Sequence, residues 1–180
     1  MTTSRYKTNK KAQFEKIIQT LSQLNHKELI SYWINQEVKE AEMYHRLYTM
    51  SKEIMWDERV PKLFFELYRD SLGHAEILLR LYHTMFPGEN VVQVDIPPLE
   101  VELPGDRLRE MVFKGNLGDI IEYMMGTERL ARDVYSYLAD HATDEKTKAT
   151  LVGLADIENG HYERLRKIYE ALFGDELEKE

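Results

Sequence analysis

A chain of 180 residues with a net charge of −8 has the size of one domain, and its acidic balance argues against nucleic acid as a partner. It contains no Cys, which excludes disulfides, iron–sulfur ligation, thiolate zinc sites and any fused electron-transfer module built on Cys-x-x-Cys pairs. No apolar run approaches the length of a membrane span and no signal peptide is evident, so the expectation is a cytoplasmic protein with no membrane partner.

In chain order, residues Met1 to Lys11 are polar and basic, and residues 1–13 read as a frayed end. Phe14, Ile17, Ile18, Leu21 and Leu24 predict a short amphipathic helix. Asn25, with Glu28 three residues on, has the form of a capping box and opens a long helix reaching about Trp56. Its apolar stripe is Ile30, Trp33, Ile34, Ala41, Tyr44 and Leu47, and Glu37 falls inside that stripe. Asp57 is expected to start a second helix, with Pro61 tolerated in its first turn, running to about Met85 with Phe64, Leu67, His74, Leu78 and Leu81 on one face. Pro87-Gly88 should end it.

Residues 87–105 hold Val91, Val92, Val94, Ile96 and four prolines, which favour extended chain. Such a segment can reach about 60 Å. A 30-residue helix is about 45 Å long, so the segment can cross a bundle end to end and join two parallel helices. An antiparallel pair would need only about 2–8 residues. A short helix follows over Asp106 to Lys114. A third long helix runs from a cap at Asn116 to about Asp140, with Leu117, Ile120, Ile121, Met124, Glu128, Ala131, Tyr135 and Leu138 on its stripe. Thr143 is the expected cap of a fourth, which Gly174 ends. Residues 14–174 thus form the expected domain, and 175–180 an acidic tail.

The fourth helix carries Glu158 and His161 three residues apart, and so on one face, among Leu151, Leu154, Ala155, Leu165, Ile168 and Leu172. A carboxylate in a dry core costs several kcal/mol unless compensated, and a bound metal is the usual compensation. The two halves of the chain also repeat. Asn25, Ile30, Tyr32, Glu37, Tyr44 and Leu47 coincide with Asn116, Ile121, Tyr123, Glu128, Tyr135 and Leu138. Leu67, Gly73, His74, Glu76, Leu78 and Tyr82 coincide with Leu154, Gly160, His161, Glu163, Leu165 and Tyr169. The period of about 90 residues describes a duplicated helical hairpin rather than a solenoid.

On these residues, above all Glu128-x-x-Ala131-x-x-x-Tyr135 followed by Glu158-x-x-His161, the chain resembles the ferritin-like superfamily and its rubrerythrin-like branch, without a rubredoxin domain. The resemblance covers about Asn25 to Phe173. It implies an all-α, ferritin-like four-helix bundle with a long central crossover and a centre for two iron ions, or manganese, at mid-depth. Glu37, His74, Glu128, Glu158 and His161 would be metal ligands. Tyr44 and Tyr135 would donate hydrogen bonds beside them, where such partners orient ligands. It further implies reaction with peroxide or dioxygen, electrons from a separate donor protein, and a homodimer. One departure stands out: the repeat puts Ser71 where Glu158 stands, so a carboxylate is missing. Glu40, one turn after Glu37, or Asp70, four residues before His74, is the candidate to replace it; the alternative is a site that holds one ion well and one poorly, or none. Carboxylates with one imidazole per metal suit iron or manganese by ligand type. The expected function is a di-iron oxidoreductase of the peroxidase or oxidase type. An iron oxidation and storage protein, or a metal-free bundle acting as an interaction module, is the alternative.

Overall fold

The computed structural model describes residues 18–54, 57–94, 96, 105–114 and 117–174. Five helices organise them: α1 (His26–Glu53), α2 (Arg59–Met85), α3 (Gly105–Lys114), α4 (Leu117–His141) and α5 (Glu145–Phe173). A helical turn at 18–21 precedes α1, while Phe14 and Ile17 lie outside the described residues.

The helix ends follow local chemistry. Asn25 caps α1 in a reciprocal capping box, its side chain accepting from the Glu28 N–H at 3.0 Å while Glu28 Oε2 accepts from the Asn25 N–H at 3.0 Å. Helix α1 closes at Glu53, three residues before the expected end, where the Ile54 N–H reaches the Met50 carbonyl. Trp56 and Asn116 lie outside the described residues. Asp57 precedes α2 by two residues; its carboxylate accepts from the Arg59 N–H at 3.0 Å and pairs with the Arg59 guanidinium. The cap of α5 is Asp144 and not Thr143. Asp144 has the extended backbone of a cap, and its carboxylate accepts from the Thr147 N–H at 2.9 Å. The Gly174 end of α5 holds, with φ of 84°, a region where glycine alone is unstrained.

The apolar stripes build two core clusters. One gathers Trp33 and Ile34 of α1, Leu78 and Tyr82 of α2, Tyr135 and Leu138 of α4, and Leu151 and Leu154 of α5. The other gathers Tyr44 and Leu47, Phe64 and Leu67, Ile121 and Met124, and Leu165 and Tyr169. The order in which each helix visits the clusters fixes its direction. Helices α1 and α5 run from the first cluster to the second, α2 and α4 from the second to the first. Each hairpin, α1–α2 and α4–α5, is therefore antiparallel, and α2 is parallel to α4.

The connection between α2 and α4 must travel the bundle's length. Its start is fastened along the first cluster. Tyr82 Oη donates to the Asn90 carbonyl at 2.5 Å, the Val92 N–H donates to the buried Ser31 hydroxyl at 3.1 Å, and Val91, Val94 and Ile96 pack there. Leu108 and Val112 of α3 pack in the second cluster. This is the all-α ferritin-like bundle with a long crossover. None of the helices among the described residues is long and apolar enough to cross a membrane.

Candidate metal centre

Between the two apolar clusters lies a polar layer contributed by all four long helices: Glu37 and Glu40 from α1, Ser71 and His74 from α2, Glu128 from α4, and Glu158 and His161 from α5. Every one of these side chains except His74 is buried. The layer exists because each helix interrupts its apolar stripe at the same depth. Glu37 and Glu40, and Glu158 and His161, stand three apart and so project together.

The ligand atoms of Glu40, Glu128, Glu158 and His161 all lie within 4.8 Å of one another. His161 Nδ1 is 3.0 Å from Glu40 Oε1, 3.4 Å from Glu128 Oε2 and 3.7 Å from Glu158 Oε2. His74 Nδ1 is 3.5 Å from Glu37 Oε2. The two imidazoles stack, with ring centroids 5.3 Å apart. Donors held about 2.1 Å from one ion stand about 3.0–3.4 Å apart, along an octahedral or tetrahedral edge. The spacings therefore fit a metal. Hydrogen bonding does not account for them. Glu37 Oε2, Glu40 Oε1, Glu128 Oε2, Glu158 Oε2, His74 Nδ1 and both His161 nitrogens are buried without a hydrogen-bond partner. Such groups are expensive to leave unsatisfied.

The electrostatics agree. Burial pushes the Glu128 carboxyl up to about 7, and burial together with neighbouring carboxylates raises Glu37, Glu40 and Glu158. Burial pulls the His161 imidazolium down, but Glu40, Glu128 and Glu158 outweigh it and raise His161 well above its ordinary value. Burial, with a contribution from His161, lowers His74 to about 4. Without metal the cluster thus retains protons, which a bound cation would displace.

Of the two candidates for the carboxylate missing at Ser71, the structure turns Glu40 inward and Asp70 outward. Asp70 pairs with Arg164 of α5 at 2.5 Å. Ser71 is buried, and its hydroxyl donates to the Leu67 carbonyl at 3.0 Å. Tyr44 Oη donates to Glu128 Oε1. Tyr135 is buried and packs edge-on against Trp33. The sequence reading overlooked that Glu40 comes to His161, on the far hairpin, rather than to His74. The available signal was Ala131, the repeat partner of Glu40, which left room on that side.

The family described as Rubrerythrin matches residues 34–169. A solved structure of a hypothetical protein from Pyrococcus furiosus is similar to the chain, with 28% identity and a TM-score of 0.61, covering 86% of this chain and 94% of that one. No curated protein matches.

Proposed function

Because the chain belongs to the rubrerythrin family, we propose that it binds two iron ions, or manganese, in the polar layer and acts as an oxidoreductase on peroxide or dioxygen. The observation that carries this reading is the set of buried, unpartnered donor atoms converging from four helices. Charge supports the number two. Glu37, Glu40, Glu128 and Glu158 supply four negative charges, which two divalent ions neutralise, while His74 and His161 bind as neutral imidazoles. Carboxylates with imidazole suit iron and manganese better than copper by ligand type.

Two ferrous ions would supply two electrons together, which with two protons convert one hydrogen peroxide to two waters. The chain's own residues hold and shield the centre. Tyr44 fixes the orientation of Glu128 through its hydroxyl. The apolar clusters above and below exclude bulk water. His74, half-buried, gives a small oxidant a side of the layer to approach. With no Cys to hold an iron–sulfur cluster, electrons come from a separate donor protein. The exposed Phe65 and Leu72, two turns apart on α2, support a homodimer.

The test is anaerobic reconstitution with Fe(II), counting ions per chain, followed by single-turnover addition of hydrogen peroxide. The reading expects two ions and one peroxide consumed per two Fe(II) oxidised. A chain that takes up neither iron nor manganese would return the protein to the class of metal-free interaction modules. Assembly into a large closed shell would favour iron storage.

A further inference from the structure

We propose that the two metal positions are unequal: one, built on Glu40, Glu128, Glu158 and His161, fills first and holds its ion tightly, while the other, resting on Glu37 and His74, fills second and exchanges with solvent. This deepens the two-ion reading above and rests on it.

Donor count is the first argument. The four groups of the first position come within 4.8 Å of one another, enough to surround one ion. The carboxylate paired with His74 is Glu37, at 3.5 Å. An ion there has fewer protein donors of its own and must complete its shell with shared carboxylates or water. Burial is the second. The His161 side chain is 1% exposed and that of His74 is 20% exposed. An ion beside His74 therefore lies nearer to solvent than one beside His161.

The inequality has a traceable origin in the duplication. Glu158 pairs with Ser71 in the repeat, and Glu40 pairs with Ala131. Each half has thus kept a carboxylate that the other lost. Had Glu40 simply replaced the missing residue at 71, the two positions would have stayed equivalent. Instead Glu40 crosses to the second hairpin and approaches His161 at 3.0 Å. Both unmatched carboxylates serve His161, and neither is paired with His74. Ser71, whose hydroxyl donates to the Leu67 carbonyl, brings no carboxylate to His74.

The experiment is a Mn(II) titration of the full chain after chelation, with free Mn(II) followed by its paramagnetic resonance signal and heat by calorimetry. Two classes of site are expected, with dissociation constants at least about tenfold apart. His74→Ala should remove the weak class and leave the tight one within about threefold, a change small on the scale of one class. Glu158→Gln should remove the tight class. The double variant Glu40→Ala/Ser71→Glu moves the carboxylate from α1 to α2, three residues before His74, and should bring the two classes together; circular dichroism checks that each variant is folded. Two ions in one class of equal affinity, or loss of both ions in His74→Ala, would overturn the inequality and leave the two-ion reading standing. No binding by the unaltered chain would overturn both.

Discussion

The two hairpins are copies in their cores and not in their polar layers. Phe64 of α2 and Leu151 of α5 occupy equivalent positions and are both buried, as do Leu67 and Leu154. Tyr44 and Tyr135 match and are both buried. At the layer the copies part: Ser71 stands against Glu158, and Glu40 against Ala131. The difference shows two kinds of constraint acting on one duplication. A core position needs apolar volume, which many residues supply. A ligand position needs one charged atom within a few tenths of an ångström, and that atom can arrive from a different helix.

Core substitutions test the symmetric side and should have the largest effect. Phe64→Ala should cost about 3–5 kcal/mol and Leu151→Ala about 2–5 kcal/mol, read from denaturation midpoints. A large gap between the two would break the claim that the cores are equivalent.

At the layer the hairpins should diverge, and the sign should depend on metal. Glu158→Gln should stabilise the chelated protein by about 1–3 kcal/mol, because a buried acid becomes a neutral amide. It should destabilise the loaded protein by removing a ligand. Ser71→Ala, at the equivalent place, should cost no more than about 0.5–1.5 kcal/mol, the worth of one hydrogen bond. Thermal unfolding with and without Mn(II) measures both.

Removing the Tyr44 hydroxyl is a smaller perturbation. Tyr44→Phe should weaken metal binding by about 10–100-fold, the usual effect of losing a group that orients a ligand. Unchanged affinity would detach Tyr44 from the centre.

The pH dependence of the chelated protein separates the layer from the rest of the fold. Glu128 is raised from 4.5 to about 7 in the folded chain, so the fold holds a proton that the unfolded chain has released. That stability is fully present below 4.5 and is lost as pH rises through 7. The raised His161 acts in the same direction above its unfolded value of 6.5. His74, lowered from 6.5 to about 4, opposes between those values and is silent above them. The melting temperature of the chelated protein should therefore fall between pH 6.5 and 8. Bound metal should abolish or reverse the slope, since ligands must lose their protons to bind.

The smallest effect belongs to a helix cap. Asp144→Ala should lower the melting temperature by less than any change above. Asp144 is held below its usual value of 3.8, chiefly by its hydrogen bond from Thr147, so its contribution is present above 3.8 and is lost in stronger acid. A variant whose stability matched the parent at neutral pH would remove Asp144 from the cap.

Periodicity alone determined a good deal. The stripes of α1, α2, α4 and α5 were legible because 3.6 residues per turn puts each buried residue on one face. Extended residues between α2 and α4 were too many for a tight turn, which implied parallel helices and a crossover. Glu37, Glu128, Glu158 and His161 stood inside apolar stripes, and the structure buries all four. The choice between Glu40 and Asp70 lay beyond reach, because each sits one turn from another candidate ligand and helical spacing fixes a face only to within a neighbouring position. Arg164, on a different helix, draws Asp70 outward, while Glu40 meets His161 of the other hairpin. Likewise His74 and His161 share the context Gly-His-x-Glu-x-Leu, yet the structure buries one and leaves the other in partial contact with solvent. Each helix's own sequence sets what it presents, whereas packing against the other hairpin decides which of those groups meet and which stay wet.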